Sequence, residues 1–216
     1  MNDRADTAHG TRTAPLVPGI PGLAWAETRA VAVDLAQHGW PVLPGTYQLA
    51  EHGAWLGRSG AAGLEPVTAL WQLATTTNPD VAMEWWTRRP YSVLLACGAG
   101  VDGVEVPAAH GHRALAQLSP AQRGPVAVTP FGSWLFFVRS DDEPLRPELA
   151  ANAHAQLHAS GAWLPIPPTA RGGLPYRWRV PRPPSAGRCP PRPRFNECWS
   201  RRSAVEPAAH DPASPE

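Results

Sequence analysis

The sequence predicts an α+β domain, a mixed sheet with helices packed against it, and three observations carry that expectation. Helical and strand-like segments alternate without the regular cadence of βαβ units. The strand candidates are short and bounded by Gly or Pro, as in "SVLLACGAGVDGVEV" over residues 92–106. The best-defined helix, "NPDVAMEWWTRRP" over residues 78–90, has Asn78 placed to cap it, Pro79 at its first position and Asp80 in its first turn.

Each element follows from its own local chemistry. In "AETRAVAVDLAQHGW", Thr28, Val31, Ala32 and Leu35 share one helical face, and Gly39 marks the stop. "WPVLP" is a short strand between prolines, and residues 45–70 are a long loop with scattered Gly. Val81, Ala82, Trp85 and Trp86 form the buried stripe of the next helix, which Pro90 ends. "SVLLAC" and "VDGVEV" are strands, and "HGHRALAQL" is a short helix with Leu115 and Leu118 on one face. "PVAVTPFGSWLFFV" predicts a hairpin turning at Pro130–Ser133. Leu145, Leu149, Ala153 and Leu157 recur every fourth residue, which predicts an amphipathic helix stopping at Gly161. Short strands in "AWLPIPP" and "PYRWRV" close the domain around Gly172-Gly173.

Composition bounds what surrounds that core. The chain has 216 residues and a net charge of +1, enough for one domain with tails and too balanced for a global field toward nucleic acid or membrane. Residues 24–180 are expected to fold, residues 1–23 to be a flexible leader, and residues 181–216 to be a disordered Pro/Arg-rich tail. From Pro181 to Arg202 that tail gathers Arg182, Arg188, Arg192, Arg194, Arg201 and Arg202 against Glu197 alone. With no run of eighteen apolar residues and no signal-peptide core, the expectation is a cytoplasmic protein with no membrane partner. Cys97 reads as a small buried hydrophobe, and Cys189 and Cys198 lack zinc-site spacing.

Few residues stand out as chemistry. Phosphate loops, dinucleotide fingerprints and nucleophile elbows do not occur. Asp141-Asp142-Glu143 suits a helix N-terminus, and His110 and His112 are two apart, which turns them away from each other on a helix. Trp85 and Trp86 have core spacing; Trp134 follows a turn, where a ring either packs inward or offers a stacking surface. Glu105 is a lone carboxylate emerging from a hydrophobic strand.

The order of segments says more than any one of them. Gly39-Trp40-Pro41-Val42, the Ala74-Thr75-Thr76 to Pro90 block with its paired tryptophans, the acid-bearing strand, the hairpin, and Pro167-Pro168-Thr169 before an aromatic strand together resemble the N-terminal domain of bifunctional DNA primase/polymerases, over residues 24–180. That resemblance implies a prim-pol fold of the archaeo-eukaryotic primase group and metal-dependent nucleotidyl transfer. Active members hold divalent ions with carboxylate-x-carboxylate on this strand, and here Glu105 takes the first position and Pro107 the second. Their Thr-Pro-Ser-Gly-Gly-x-His motif meets Thr129-Pro130-Phe131-Gly132-Ser133-Trp134-Leu135, with Phe131 for the serine and Leu135 for the histidine. A third acid expected before Pro167 is absent.

The resemblance therefore implies a degenerate site. Glu105 is a vestigial metal candidate, Gly132, Ser133 and Trp134 are the nucleotide-binding candidates, and no catalytic residue is assigned. No cofactor is expected; Mg or Mn enters only if the domain is active. Three functions stay open at this point. One is a stand-alone degenerate domain in DNA replication with a nucleotide-binding, nucleic-acid-binding or regulatory role. Another is an active template-dependent primase/polymerase in which Asp102 joins Glu105 through a bulge at Gly103. The third is a protein-interaction module using the tail. Nucleic acid, a nucleotide, and a separate helicase or replication protein are the expected partners.

Overall fold

The computed structural model describes residues 21–181 apart from 51–52, 120–122, 141–143, 146, 148–149 and 152–153. The Arg-rich tail, Cys189, Cys198 and the Asp141–Glu143 cluster therefore lie outside the described residues. Among those described, no helix is long and apolar enough to cross a membrane.

Helix α1 spans Pro21–Gln37 and so begins inside the expected leader, with proline in the first turn where its missing N–H costs nothing. It stops as the sequence implies. Gly39 adopts φ +76°, and the N–H groups of Gly39 and Trp40 return to the carbonyls of Ala36 and Leu35. Strand β1 (Val42–Gly45) follows, then the long loop, which carries a short 3₁₀ turn at Trp71–Leu73. Helix α2 (Pro79–Arg88) starts on the Asn78 side chain, whose Oδ1 accepts the Asp80 N–H at 2.8 Å. Its Ala82 and Trp86 are fully buried, and the Trp86 indole donates to the Tyr91 carbonyl at 2.8 Å.

Beyond α2 come β2 (Ser92–Ala96), β3 (Val101–Pro107), α3 (Ala108–Gln117), β4 (Val126–Val128) and β5 (Ser133–Arg139). The chain then runs through β6 (Gln156–His158), β7 (Trp163–Pro165), β8 (Ala170–Arg171), β9 (Leu174–Pro175) and β10 (Arg177–Val180). The fold class is α+β, but every strand pairing among the described residues is antiparallel, where a single mixed sheet was expected. Strands β1-β2-β7 form one sheet, β10-β4-β5-β3-β6 another, and β8-β9 a small ribbon. Although α2 separates β1 from β2, those strands pair antiparallel, so α2 is not a parallel crossover.

The expected helix through Leu157 is a second departure. His154 has φ +49°, and Gln156–His158 is strand β6, paired with β3. Four-residue spacing carried the helix pattern one step too far: Leu157 sits opposite Val104 across the strands rather than on a helix face.

Two cores result. One joins α1, α2 and the three-stranded sheet to one face of the larger sheet, through Trp40, Trp86, Leu94, Leu135 and Phe137. The other packs α3 on the opposite face, through Val104, Val106, Ala114, Trp134 and Phe136. The two sheets come close at Gly103, where an added Cβ would stand 2.3 Å from Leu164 Cδ1. Gly103→Ala is expected to destabilise the protein by about 1–3 kcal/mol through overpacking, with Leu164→Val in the same chain recovering part of the loss. Urea unfolding of the two single variants and the double variant checks this; additive losses would mean the sheets do not meet there.

Candidate functional site

Alternation along β3 decides which side chains can meet. Val101, Gly103, Glu105 and Pro107 face the larger core, while Asp102, Val104 and Val106 face α3. Register with β5 runs unbroken from Val101 to Pro107, so the strand holds no bulge at Gly103. Asp102 and Glu105 consequently lie on opposite faces of the sheet. Asp102 is buried, and its Oδ1 accepts from the Gly98 N–H and the Ser140 hydroxyl, each at 2.8 Å. It ties the β2–β3 turn to the end of β5. Burial and this neighbouring carboxylate push the Cys97 thiol up to about 12, which keeps it protonated and inert.

Glu105 sits near the end of β3, with its side chain 31 % exposed. One oxygen, Oε2, lies 2.9 Å from Nε2 of His158 on β6. The other, Oε1, accepts from the Ser133 hydroxyl at the start of β5. Because an ionised carboxylate only accepts, Ser133 must donate there, and Thr129 Oγ1, 2.7 Å from Ser133 Oγ, then donates to Ser133. Thr129 Oγ1 also receives the Phe131 and Ser133 N–H groups, at 3.3 and 3.2 Å, and so braces the whole turn. The outcome is a directed chain of hydrogen bonds, Thr129 to Ser133 to Glu105, closed by His158. Its donors hold the Glu105 carboxyl below the usual carboxylate range, His158 most strongly, against the opposing effect of burial.

The cross-strand neighbours of Glu105 are as informative as its partners. Leu135 is its partner on β5 and is buried; Gln156 is its partner on β6. Pro107, two residues on and facing the same way, ends β3 at the N-cap position of α3. Three adjoining positions from which a ligand would reach a cation beside Glu105 thus carry an alkyl group, a neutral amide and an imino ring. Among the described residues no group of three or more His, Cys, Asp or Glu side chains gathers to hold a metal ion. A pair of hard divalent cations wants several carboxylate oxygens at once, and one carboxylate already bonded at both oxygens does not fit that demand.

The expected nucleotide residues separate. Ser133 joins Glu105. Gly132 is exposed at φ +82°, a turn conformation that favours glycine, with open space around it. Trp134 is 3 % exposed and packs on His112 at 4.3 Å and against Gly111, so it is core and offers no stacking surface. The exposed ring of this turn is Phe131, 60 % accessible, with the Arg171 guanidinium 5.2 Å from its centroid. Sequence reasoning missed His158 because it fell within the expected helix. Strand alternation read across Gln156-Leu157-His158 would have set Gln156 and His158 on one face.

The family model described as bifunctional DNA primase/polymerase, N-terminal, matches residues 32–193. No curated protein matches the chain.

His158→Ala is expected to raise the Glu105 pKa toward the ordinary carboxylate value and to cost about 1 kcal/mol, small because the pair is partly exposed. The linkage has a definite sign. A depressed carboxyl contributes fully above its unfolded value, near ~4.3, and that contribution fades as pH falls through the lower folded value. Acid unfolding of the wild type should therefore steepen below about pH 4 more than that of Glu105→Gln. Carbon-detected NMR titration of the Glu105 carboxyl reports the pKa directly, and an unchanged value in His158→Ala would exclude the pair as its cause.

Proposed function

The chain belongs to the family of bifunctional DNA primase/polymerase N-terminal domains, and on that premise we propose that it is a catalytically degenerate member that keeps a nucleotide-binding, nucleic-acid-binding or regulatory role. Members of this family generally use metal ions. The observation that carries the degenerate reading is the bonding of Glu105, whose two oxygens are engaged by His158 and Ser133. An imidazole takes up the carboxylate here, and Pro107, Leu135 and Gln156 add no charged oxygen beside it. Losing a single group that stabilises the transition state typically costs about 10²–10³ in rate, and several losses together leave no useful transfer.

Nucleic-acid contact is supported by the rim of the same site. Phe131 projects from the β4–β5 turn, and Arg171 on the β8–β9 ribbon lies against its ring. An exposed aromatic ring beside a guanidinium suits an unpaired base with its phosphate, a contact that tolerates any base because every base has a flat face. Template binding without synthesis is the role this combination fits.

Template-directed incorporation of labelled nucleotides with Mg or Mn should stay at background in the wild type and in Glu105→Gln. Incorporation that Glu105→Gln abolishes would overturn the degenerate reading. Single-stranded DNA should bind, with Phe131→Ala weakening it about five- to hundredfold in fluorescence anisotropy. Arg171→Ala should weaken it and flatten its salt dependence. Equal affinity in both variants would remove the turn from the interface.

A further inference from the structure

A cavity of about 650 Å³ opens away from Glu105, between the first turns of α1, the end of α2, the loop after β1 and residues 168–173. Its size is that of a small-molecule site. Four of its lining residues are aromatic: Trp25, Tyr47, Trp55 and Tyr91. Tyr47 and Tyr91 meet edge to face at 5.7 Å, and the Trp25 indole is held by the Trp86 carbonyl at 2.5 Å. The wall is rigid on the strand side too, since the Thr169 hydroxyl both accepts from the Val93 N–H and donates to the Val93 carbonyl. Such rings are fixed before any ligand arrives, which limits the entropy lost on binding.

Among the described lining residues, charge has one sign. Arg88 and Arg89 line the cavity, and its described lining residues include no Asp or Glu. Arg88 pairs along the helix with Glu84 at 2.5 Å. Arg89 instead donates to the Tyr47 hydroxyl at 3.3 Å, a partner that is not a carboxylate, and lines the cavity. Aromatic walls and a guanidinium at the mouth together call for a flat ring carrying an anionic group.

We propose that this cavity is a second binding site, for a nucleoside monophosphate, with the base among the Tyr47, Trp55 and Tyr91 rings and the phosphate on Arg89. Glu105, Ser133 and His158 do not line it. Binding there needs no metal and does not depend on whether the Glu105 site transfers nucleotides. The 168–173 segment runs between the two places: Thr169 and Ala170 line the cavity, while Arg171 turns to Phe131. A ligand in the cavity would therefore rest against the strand that carries part of the proposed DNA contact.

Calorimetric titration of the full chain with AMP, adenosine and inorganic phosphate, all without metal, tests the proposal. AMP should bind saturably, with each fragment at least about tenfold weaker, because ring and phosphate contribute together. Arg89→Ala and Trp55→Ala should each weaken AMP by about tenfold or more, Arg89→Ala at an exposed position where folding is undisturbed. Glu105→Gln should leave the affinity unchanged. No saturation at millimolar AMP would overturn the site, as would a fragment binding as tightly as AMP. Insensitivity to both Arg89→Ala and Trp55→Ala would do the same, and loss of binding in Glu105→Gln would move the ligand to the other site.

Discussion

Glu105 is held from two strands at once, by an imidazole on β6 and by a hydroxyl on β5, and the hydroxyl is itself oriented by Thr129 across the hairpin turn. Each oxygen of the carboxylate has a donor supplied by the protein. The chemistry available at this end of the sheet follows from that. A cation arriving here must displace an imidazole and a hydroxyl before it finds a ligand, and then finds one carboxylate where a pair of ions needs several. The same bonds pin β6 to β3 at the sheet edge, so the carboxylate serves as a stabilising contact.

The fold makes the constraint possible. Gly103 lets the smaller sheet come close against β3, which aligns Val101, Gly103 and Glu105 toward the space between sheets. Asp102, one residue along, is turned to the other face and spent on the turn before β3. An unbroken register keeps the two acids apart, and that is why a second ligand cannot be borrowed from the same strand.

Much of the architecture was legible in the residues. Asn78-Pro79-Asp80 marks the start of α2, Gly39 ends α1, and the Pro130–Ser133 turn joins two strands, because each is a local rule written in a few side chains. That Pro107 shares the face of Glu105 follows from simple alternation along β3, whereas Leu135 comes beside it through the register of β3 with β5. What stayed hidden depended on tertiary partners. Leu145 and Leu157 keep a helical spacing that only the pairing of β6 with β3 contradicts, and His158 is concealed by the same misassignment. The choice between an inward and an outward Trp134 is made by His112 and Gly111 of α3, which the turn sequence does not reveal, and it leaves Phe131 as the exposed ring. The aromatic cavity joins residues from four distant segments and carries no motif at all.

Manganese titration followed by NMR tests the central claim most directly, since the paramagnetic ion broadens signals only near where it binds. With millimolar Mn and a nucleoside triphosphate present, the signals of Glu105, Gln156 and His158 should stay sharp, and the Glu105–His158 hydrogen bond should persist. Selective broadening of those three residues at micromolar Mn would contradict the account, because the carboxylate would then have let go of its imidazole to take up a metal.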